Sequence, residues 1–336
     1  MKILTIKDIA ALSGVGVSTV SRVLNEHPDV ADETREKVLD VVARYHYRPN
    51  SNARNLKQTS ADLISIIVRG RENTFLMDIA ERIIEIGSKE KQKFLMASID
   101  ETDDELEAAY LHVAEKKVKG IIFLGANVAA REKEIKKFPL PCVFATVDTS
   151  AQGFSGVSSV SIDNYTSGGM AIEYLLDQGH KRIAIFGGGQ SINDGIGRRY
   201  QGALHSFAKR RISFDPSLSV QCSFSMEKAY QAAMRFLQEK PSFTAVFAMS
   251  DMMAIGIIRA LHECKLHVPE DVSVIGFDGT ALSRFVIPSL VTIAQPAHQI
   301  AQQSVSLIMR LIKDPEDSEN ILVKSILQEG ESVKPR

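Results

Sequence analysis

From Leu63 onward, short apolar runs rich in β-branched and aromatic residues alternate with amphipathic stretches long enough for helices. That alternation predicts strands joined by crossover helices, an α/β fold with parallel sheets. Strands are predicted at Leu63–Val68, Phe94–Ile99, Gly120–Leu124, Cys142–Val147, Ser159–Ile162, Arg182–Phe186, Ala245–Ala248, Val272–Phe277 and Leu290–Ala294. They are too many for one small sheet. The polar, Gly/Ser-rich stretch Thr149–Val157 interrupts the alternation, which restarts at GHKRIAIFGG from Gly179, so two lobes of similar build are expected.

Residues 1–48 follow a different rhythm: three helical patterns and no strand, ending at Arg48-Pro49-Asn50, where proline biases the residue before it out of a helix. Thr5 is placed to cap the first helix, with Asp8 answering three residues on. After the turn Gly14-Val15-Gly16 a second helix begins, apolar at Val20, Val23 and Leu24 and polar at Ser18, Thr19, Ser21 and Arg22. This is helix-turn-helix spacing, in which the second helix enters the DNA major groove. Arg22 can then fork onto guanine, Ser18 can bond either base pair and Val17 offers a surface to a thymine methyl. Thr5, Thr19, Tyr47 and Asn50 are better placed for phosphates, which set register without reading sequence. On this segment alone a generic pair of packed helices is the competing account.

The chain has 336 residues, 44% of them hydrophobic and 24% charged, the proportions of a globular protein of more than one domain. Its 40 Lys+Arg against 41 Asp+Glu exclude a uniformly basic coat, so any nucleic-acid contact is local; residues 1–60 sum to +2. Cys142, Cys222 and Cys264 are odd in number and far apart, which fits neither a disulfide framework nor a zinc knuckle. With no apolar run of eighteen residues and charges from Lys7 onward, a cytoplasmic, non-membrane protein is expected.

The run TIKDIAALSGVGVSTVSRVLN followed by VADETREKVLDVVARYHYRPNSNARNLK resembles the lactose-repressor/galactose-repressor (LacI/GalR) family of bacterial transcription regulators. The resemblance continues to about residue 328 through Ser161-Ile162-Asp163-Asn164, Arg199-Tyr200-Gln201-Gly202, Ser250-Asp251, VPEDVSVIGFD from Val268 and Thr292-Ile293-Ala294-Gln295-Pro296. It implies a helix-turn-helix domain at 1–48, a hinge helix or linker at 49–61, and a two-lobed, periplasmic-binding-protein-like α/β core at 62–330 with Rossmann-like lobes. The first lobe would take about 62–162 and 294–320, the second about 163–293 and 321–330. It also implies that Arg54 and Leu56 belong to the DNA-binding hinge, Leu56 as an apolar wedge that opens a minor-groove step. One departure is Gly16, where the family usually has Ser at the recognition-helix cap; glycine caps almost as well but offers no hydroxyl to a phosphate.

Residue by residue, the same resemblance puts an effector cleft at Asp163, Arg199, Phe224, Ser250, Asp278 and Gln295, with the charged loop Arg69–Phe75 as a further wall. Carboxylates, a guanidinium fork and a flat aromatic face suit a sugar or sugar derivative, and the charged loop leaves an anionic ligand open. Taken alone, Asp163 and Asp278 fit helix capping as well as binding. Arg199 is separated from its neighbour Arg198 only by the three-residue step to Gly202. Enzyme motifs fail: the third glycine of G-x-G-x-x-G after Phe186 would be Ile192, and His262 and His267 are one residue too far apart for a zincin helix. The expected molecule is therefore a homodimeric, non-enzymatic repressor without cofactor or metal, binding a near-palindromic operator and a small effector. The rivals are a solute-binding protein and a catabolite-control regulator answering a phosphorylated partner protein.

Overall fold

Strands buried on both faces of a sheet need apolar residues at nearly every position rather than at every second one. LISIIVR at Leu63–Arg69 and VKGIIFL at Val118–Leu124 meet that requirement and lie at the centre of a sheet, buried along almost their whole length. The computed structural model describes residues 6–24, 29–44, 63–129, 131–187 and 195–336. The chain divides into two compact units, Met1–Ala61 and Asp62–Arg336.

In the first unit α1 (Ile6–Ser13), α2 (Val17–Leu24) and α3 (Asp32–Arg44) enclose Ile9, Ala10, Val20, Val23, Val30, Val38 and Val41. Gly14, at φ +67, ends α1, and the Val15 amide donates to the Ala10 carbonyl at 3.1 Å, closing the turn in the way left-handed glycine caps do. The Gly16 carbonyl then accepts from Thr19 and Val20, which starts α2.

The second unit holds two six-stranded sheets among the described residues. The first lobe contains β1 (Leu63–Arg69), α4 (Thr74–Lys89), β2 (Lys93–Ile99), α5 (Glu105–Lys116), β3 (Val118–Leu124), α6 (Glu132–Ile135), β4 (Cys142–Ala145) and β5 (Ser158–Ile162). The second contains α7 (Asn164–Asp177), β6 (Ile183–Phe186), α8 (Gly195–Lys209), β7 (Ser219–Val220), α9 (Met226–Gln238), β8 (Ala245–Ala248), α10 (Asp251–Glu263), β9 (Ser273–Asp278) and β10 (Val291–Ala294). The chain then returns through α11 (Ala297–Lys313) and β11 (Asn320–Val323) to the first sheet, and ends with β12 (Ile326–Gln328) on the second.

The orders are β11-β5-β4-β3-β1-β2 and β12-β10-β9-β8-β6-β7, so each lobe repeats one doubly wound plan. All pairings are parallel except β12 on β10. Alternate residues of the first sheet serve opposite faces: Ile64, Ile66 and Val68 meet α4 and α11, while Ile67, Ile121 and Phe123 join the cluster of Leu106, Phe138 and Phe144. The short strands β7, β11 and β12 were not predicted. They are edge strands without a single fully buried residue, Leu322 and Ile326 lying in solvent, and carry no buried-strand pattern. The predicted strand to Val147 stops at Ala145 because Thr146 turns to φ +72.

Candidate functional site

The face of α2 opposite its buried Val20 and Val23 presents Val17, Ser18 and Arg22 to solvent, with Thr19 half-buried at the boundary. An exposed valine, 41% accessible, at the first position of a helix has nothing to gain from water, whereas it fits a base methyl. Of the other residues predicted for DNA, Thr5, Tyr47, Asn50, Arg54 and Leu56 lie outside the described residues, as does the segment 49–61.

In the second unit a cavity of about 410 Å³ opens where strands of both sheets end. Ligands in doubly wound sheets bind outside the carboxyl ends of strands at the point where strand order reverses, here between β1 and β3 and between β6 and β8. Its wall includes Arg69, Asn73, Phe75, Glu101 and Asn127 from the first lobe, and Asn164, Arg199, Phe224, Asp278 and Gln295 from the second.

Arg199, 6% exposed, is held from several sides. Its Nε and Nη2 donate to Asn164 Oδ1 at 3.2 and 2.9 Å, Nη1 donates to the Met249 carbonyl at 2.6 Å, and the guanidinium lies 3.4 Å from the centroid of the Phe277 ring. Arg198 points elsewhere, over Tyr165. The step from Arg199 to Gly202 has a steric cause: a Cβ on Gly202 would come within 1.8 Å of the Tyr165 carbonyl oxygen, so only glycine lets α8 lie on α7 and carry Arg199 to the wall.

Asp278 ends β9 at φ +115, a conformation that costs an L-residue of order 1–3 kcal/mol and persists where surroundings impose it. Its Oδ1 accepts from Gln295 Nε2 at 2.8 Å. Burial pushes its carboxyl well above the ordinary range, the nearby Arg199 opposes the shift and the Asp251 carboxylate adds to it. Asp251 is itself fully buried and raised by burial, with Oδ1 accepting from Thr292 Oγ1 and Oδ2 from the Thr280 amide and hydroxyl. Asp278 can therefore donate a proton to a ligand oxygen as well as accept one, and Phe224 supplies a half-buried aromatic ring to the same cavity.

Two predicted cleft residues do not line the cavity. The Asp163 carboxylate accepts from the Tyr165 and Thr166 amides and caps α7, and Ser250 Oγ accepts from the Met253 amide and caps α10. In both cases the next residue starts a helix whose free N–H groups take the side chain before any ligand can. Conversely, Glu101, Asn127 and Asn164 line the wall without having been predicted for it, while the predicted loop Arg69–Phe75 contributes Arg69, Asn73 and Phe75. The usable signal was position: Glu101 and Asn127 each follow a strand of the sheet by two or three residues.

Among the described residues no group of three or more His, Cys, Asp or Glu is arranged to hold a metal, and no helix is long and apolar enough to cross a membrane. His267 lies beyond the end of α10, with Nδ1 3.1 Å from Asp271 Oδ2.

Comparison with known proteins agrees with both units. Residues 5–50 match the model for bacterial regulatory proteins of the lacI family, and residues 172–333 that for a periplasmic binding protein-like domain. The chain is 35% identical over 333 residues to the HTH-type transcriptional regulator MalR of Clostridium butyricum, covering 98% of this chain and 99% of that one. It is 30% identical over 332 residues to Catabolite control protein A of Priestia megaterium, again covering 98% and 99%. A solved structure of the transcriptional regulator CelR–cellobiose complex aligns with TM-score 0.70 at 26% identity, over 98% of this chain and 99% of that one.

Proposed function

The chain belongs to the LacI family of bacterial regulatory proteins, and on that footing we propose that it is a repressor whose hold on operator DNA is set by a small effector in the interlobe cavity. The observation that carries the DNA side is the outward face of α2, where Val17, Ser18 and Arg22 stand opposite a buried apolar stripe. It works as a homodimer, because two such helices related by a twofold axis read the two halves of a near-palindromic site, and one helix alone binds weakly. The effector is a sugar or sugar derivative. Hydrogen-bonding groups line the cavity together with the aromatic side chains of Phe75 and Phe224, the cavity volume falls within the roughly 300–1,000 Å³ usual for ligand sites, and CelR, at 26% identity, holds cellobiose. The protein acts in the cytoplasm and catalyses no reaction. The 30% identity to Catabolite control protein A supports a second reading, in which a protein partner shares control of the core.

The effector acts by changing the angle between lobes, so effector and operator alter each other's affinity by the same factor. Selection from a pool of randomised duplexes tests the DNA reading: wild type enriches a near-palindrome, and Arg22→Ala weakens binding to it by roughly 1–3 kcal/mol and relaxes one base position per half-site. Enrichment of no sequence would end the proposal. A thermal-shift panel of sugars, sugar phosphates and purines identifies the effector, since a ligand that binds only the folded state raises the melting temperature.

A further inference from the structure

The cavity shows a ligand the Asp278 carboxyl, and a second carboxyl lies hidden behind it. Asp251, the first residue of α10, has no exposed surface and does not reach the wall. The chain makes room for it with glycine. Thr292 stands opposite Gly276 in the β9–β10 register, and a Cβ on Gly276 would come within 2.5 Å of Asp251 Oδ1. Thr292 Oγ1 donates to that oxygen at 2.6 Å, while the turn after β9 closes over the other, to which the Thr280 amide and hydroxyl donate at 2.6 and 2.9 Å. The Gly279 amide adds a further bond. The turn that Asp251 holds is the one that begins at Asp278.

Hydrogen bonding divides the two carboxyls. Asp251 receives donors on both oxygens and sits in the first turn of a helix, where unpaired N–H groups favour a negative charge. Asp278 receives one donor among the described residues, from Gln295 Nε2 to Oδ1. Two neighbouring buried carboxyls do not both ionise readily, and the one with fewer donors keeps its proton. The shifts agree: burial raises both, the bonds from Thr292 and Thr280 bring Asp251 back down, and the Asp251 charge pushes Asp278 further up against the pull of Arg199. The remaining charged residues of the wall, Arg69 and Glu101, belong to the first lobe and are opposite in sign. Anchoring the turn does not by itself call for a charge, because an amide at this position would accept from Thr280 and donate to the Thr292 hydroxyl.

We propose that Asp251 is a positioning residue of the effector site: it fixes the Asp278–Thr280 turn and, by staying ionised, keeps the pair's proton on Asp278, so that the effector meets Asp278 as a hydrogen-bond donor. The inference rests on the cavity being the effector site, as proposed above. A ligand oxygen that accepts from Asp278 is then held below the pH at which Asp278 ionises and loosened above it.

The test is a carbon-13 NMR titration of the full chain labelled at its aspartate carboxyls, in which Asp251→Asn and Asp278→Asn identify the two signals by their absence. In wild type Asp278 titrates at higher pH than Asp251. In Asp251→Asn, which keeps bonds to Thr280 and Thr292 and loses the charge, the Asp278 midpoint falls by about one pH unit. Thr292→Val removes a bond and keeps the charge, and it moves that midpoint less than half as far. Any compound of the sugar, sugar phosphate and purine panel that raises the wild-type melting temperature does so less above the Asp278 midpoint than below it. Asp278 titrating before Asp251, an unmoved midpoint in Asp251→Asn, equal shifts in Asp251→Asn and Thr292→Val, or a ligand whose effect ignores the midpoint overturns the inference. A panel in which no compound raises the melting temperature counts against the effector reading instead.

Discussion

Side chains on the second-lobe wall of the cavity are already bonded to one another: Arg199 to Asn164 and the Met249 carbonyl, Asp278 to Gln295, and behind them Asp251 to Thr280 and Thr292. On the first-lobe wall the side-chain ties go mainly to backbone groups and the side chains stand nearer to water. Asn73 caps its own helix through the Leu76 amide, Asn127 accepts from the Ala129 amide, and Arg69 donates to the Glu101 carbonyl. Glu101, Thr102 and Asn127 are exposed. Two lobes with one strand order thus meet a ligand differently: the second presents a preset pattern of donors and acceptors, and the first supplies groups that settle as it closes. A buried network whose members are all satisfied keeps its geometry without a ligand, whereas exposed side chains lose rotamer freedom only on binding.

The most severe way to break this contrast is to remove one arginine from each wall. Arg199→Ala leaves Asn164 Oδ1 and the Met249 carbonyl buried without their donor and opens space beside Phe277. At about 1–3 kcal/mol for each orphaned group, urea unfolding of the core should show a loss of roughly 3 kcal/mol. Arg69→Ala removes a partly exposed side chain bonded to one carbonyl and should cost under about 1 kcal/mol. Equal losses would mean that the first lobe is as preset as the second.

Asp278 gives a smaller effect with a pH signature. Burial raises its folded-state pKa, so the stability it contributes is complete below the ordinary carboxylate value and is lost as pH rises through the raised one. Wild-type stability should therefore decline from about pH 5 to about pH 8, by on the order of 2 kcal/mol. Asp278→Asn cannot ionise and should flatten that decline, keep its operator affinity and lose the effector's thermal shift. A variant as pH-sensitive as wild type would place the titrating group elsewhere in the second lobe.

The contrast between lobes also explains what could be read from sequence. The central strands were legible because burial on two faces forces unbroken apolar runs such as IIFL at Ile121–Leu124. On the second-lobe wall Arg199 was legible through its spacing to Gly202, which a helix crossing enforces. Asp163 and Asp278 both follow buried strands and look alike in sequence. They part because Asn164 begins a helix at once, whereas Asp278 leads into Gly279 and Thr280, whose amide turns to Asp251 instead. The first-lobe wall collects Asn73, Glu101 and Asn127 from the ends of three separate strands, about 25 residues apart in the chain, and no local spacing joins them.

The smallest predicted effect asks whether the lobes differ anywhere except at the cavity. Lys117 in the first and Lys265 in the second hold the same left-handed conformation, φ 52 and φ 60, just past a helix C-terminus. An L-residue pays about 1–2 kcal/mol there, and glycine avoids that cost but gives back roughly 0.5–1 kcal/mol in backbone entropy. Lys117→Gly and Lys265→Gly should each stabilise the core by about half a kcal/mol, measured as shifts in urea midpoint at constant slope. Matching gains would confine the asymmetry to the cavity wall. If Lys117→Gly gained clearly less than Lys265→Gly, the first lobe would be the more yielding throughout, relaxing around its own strain, and the preset character of the second would extend to its helix ends.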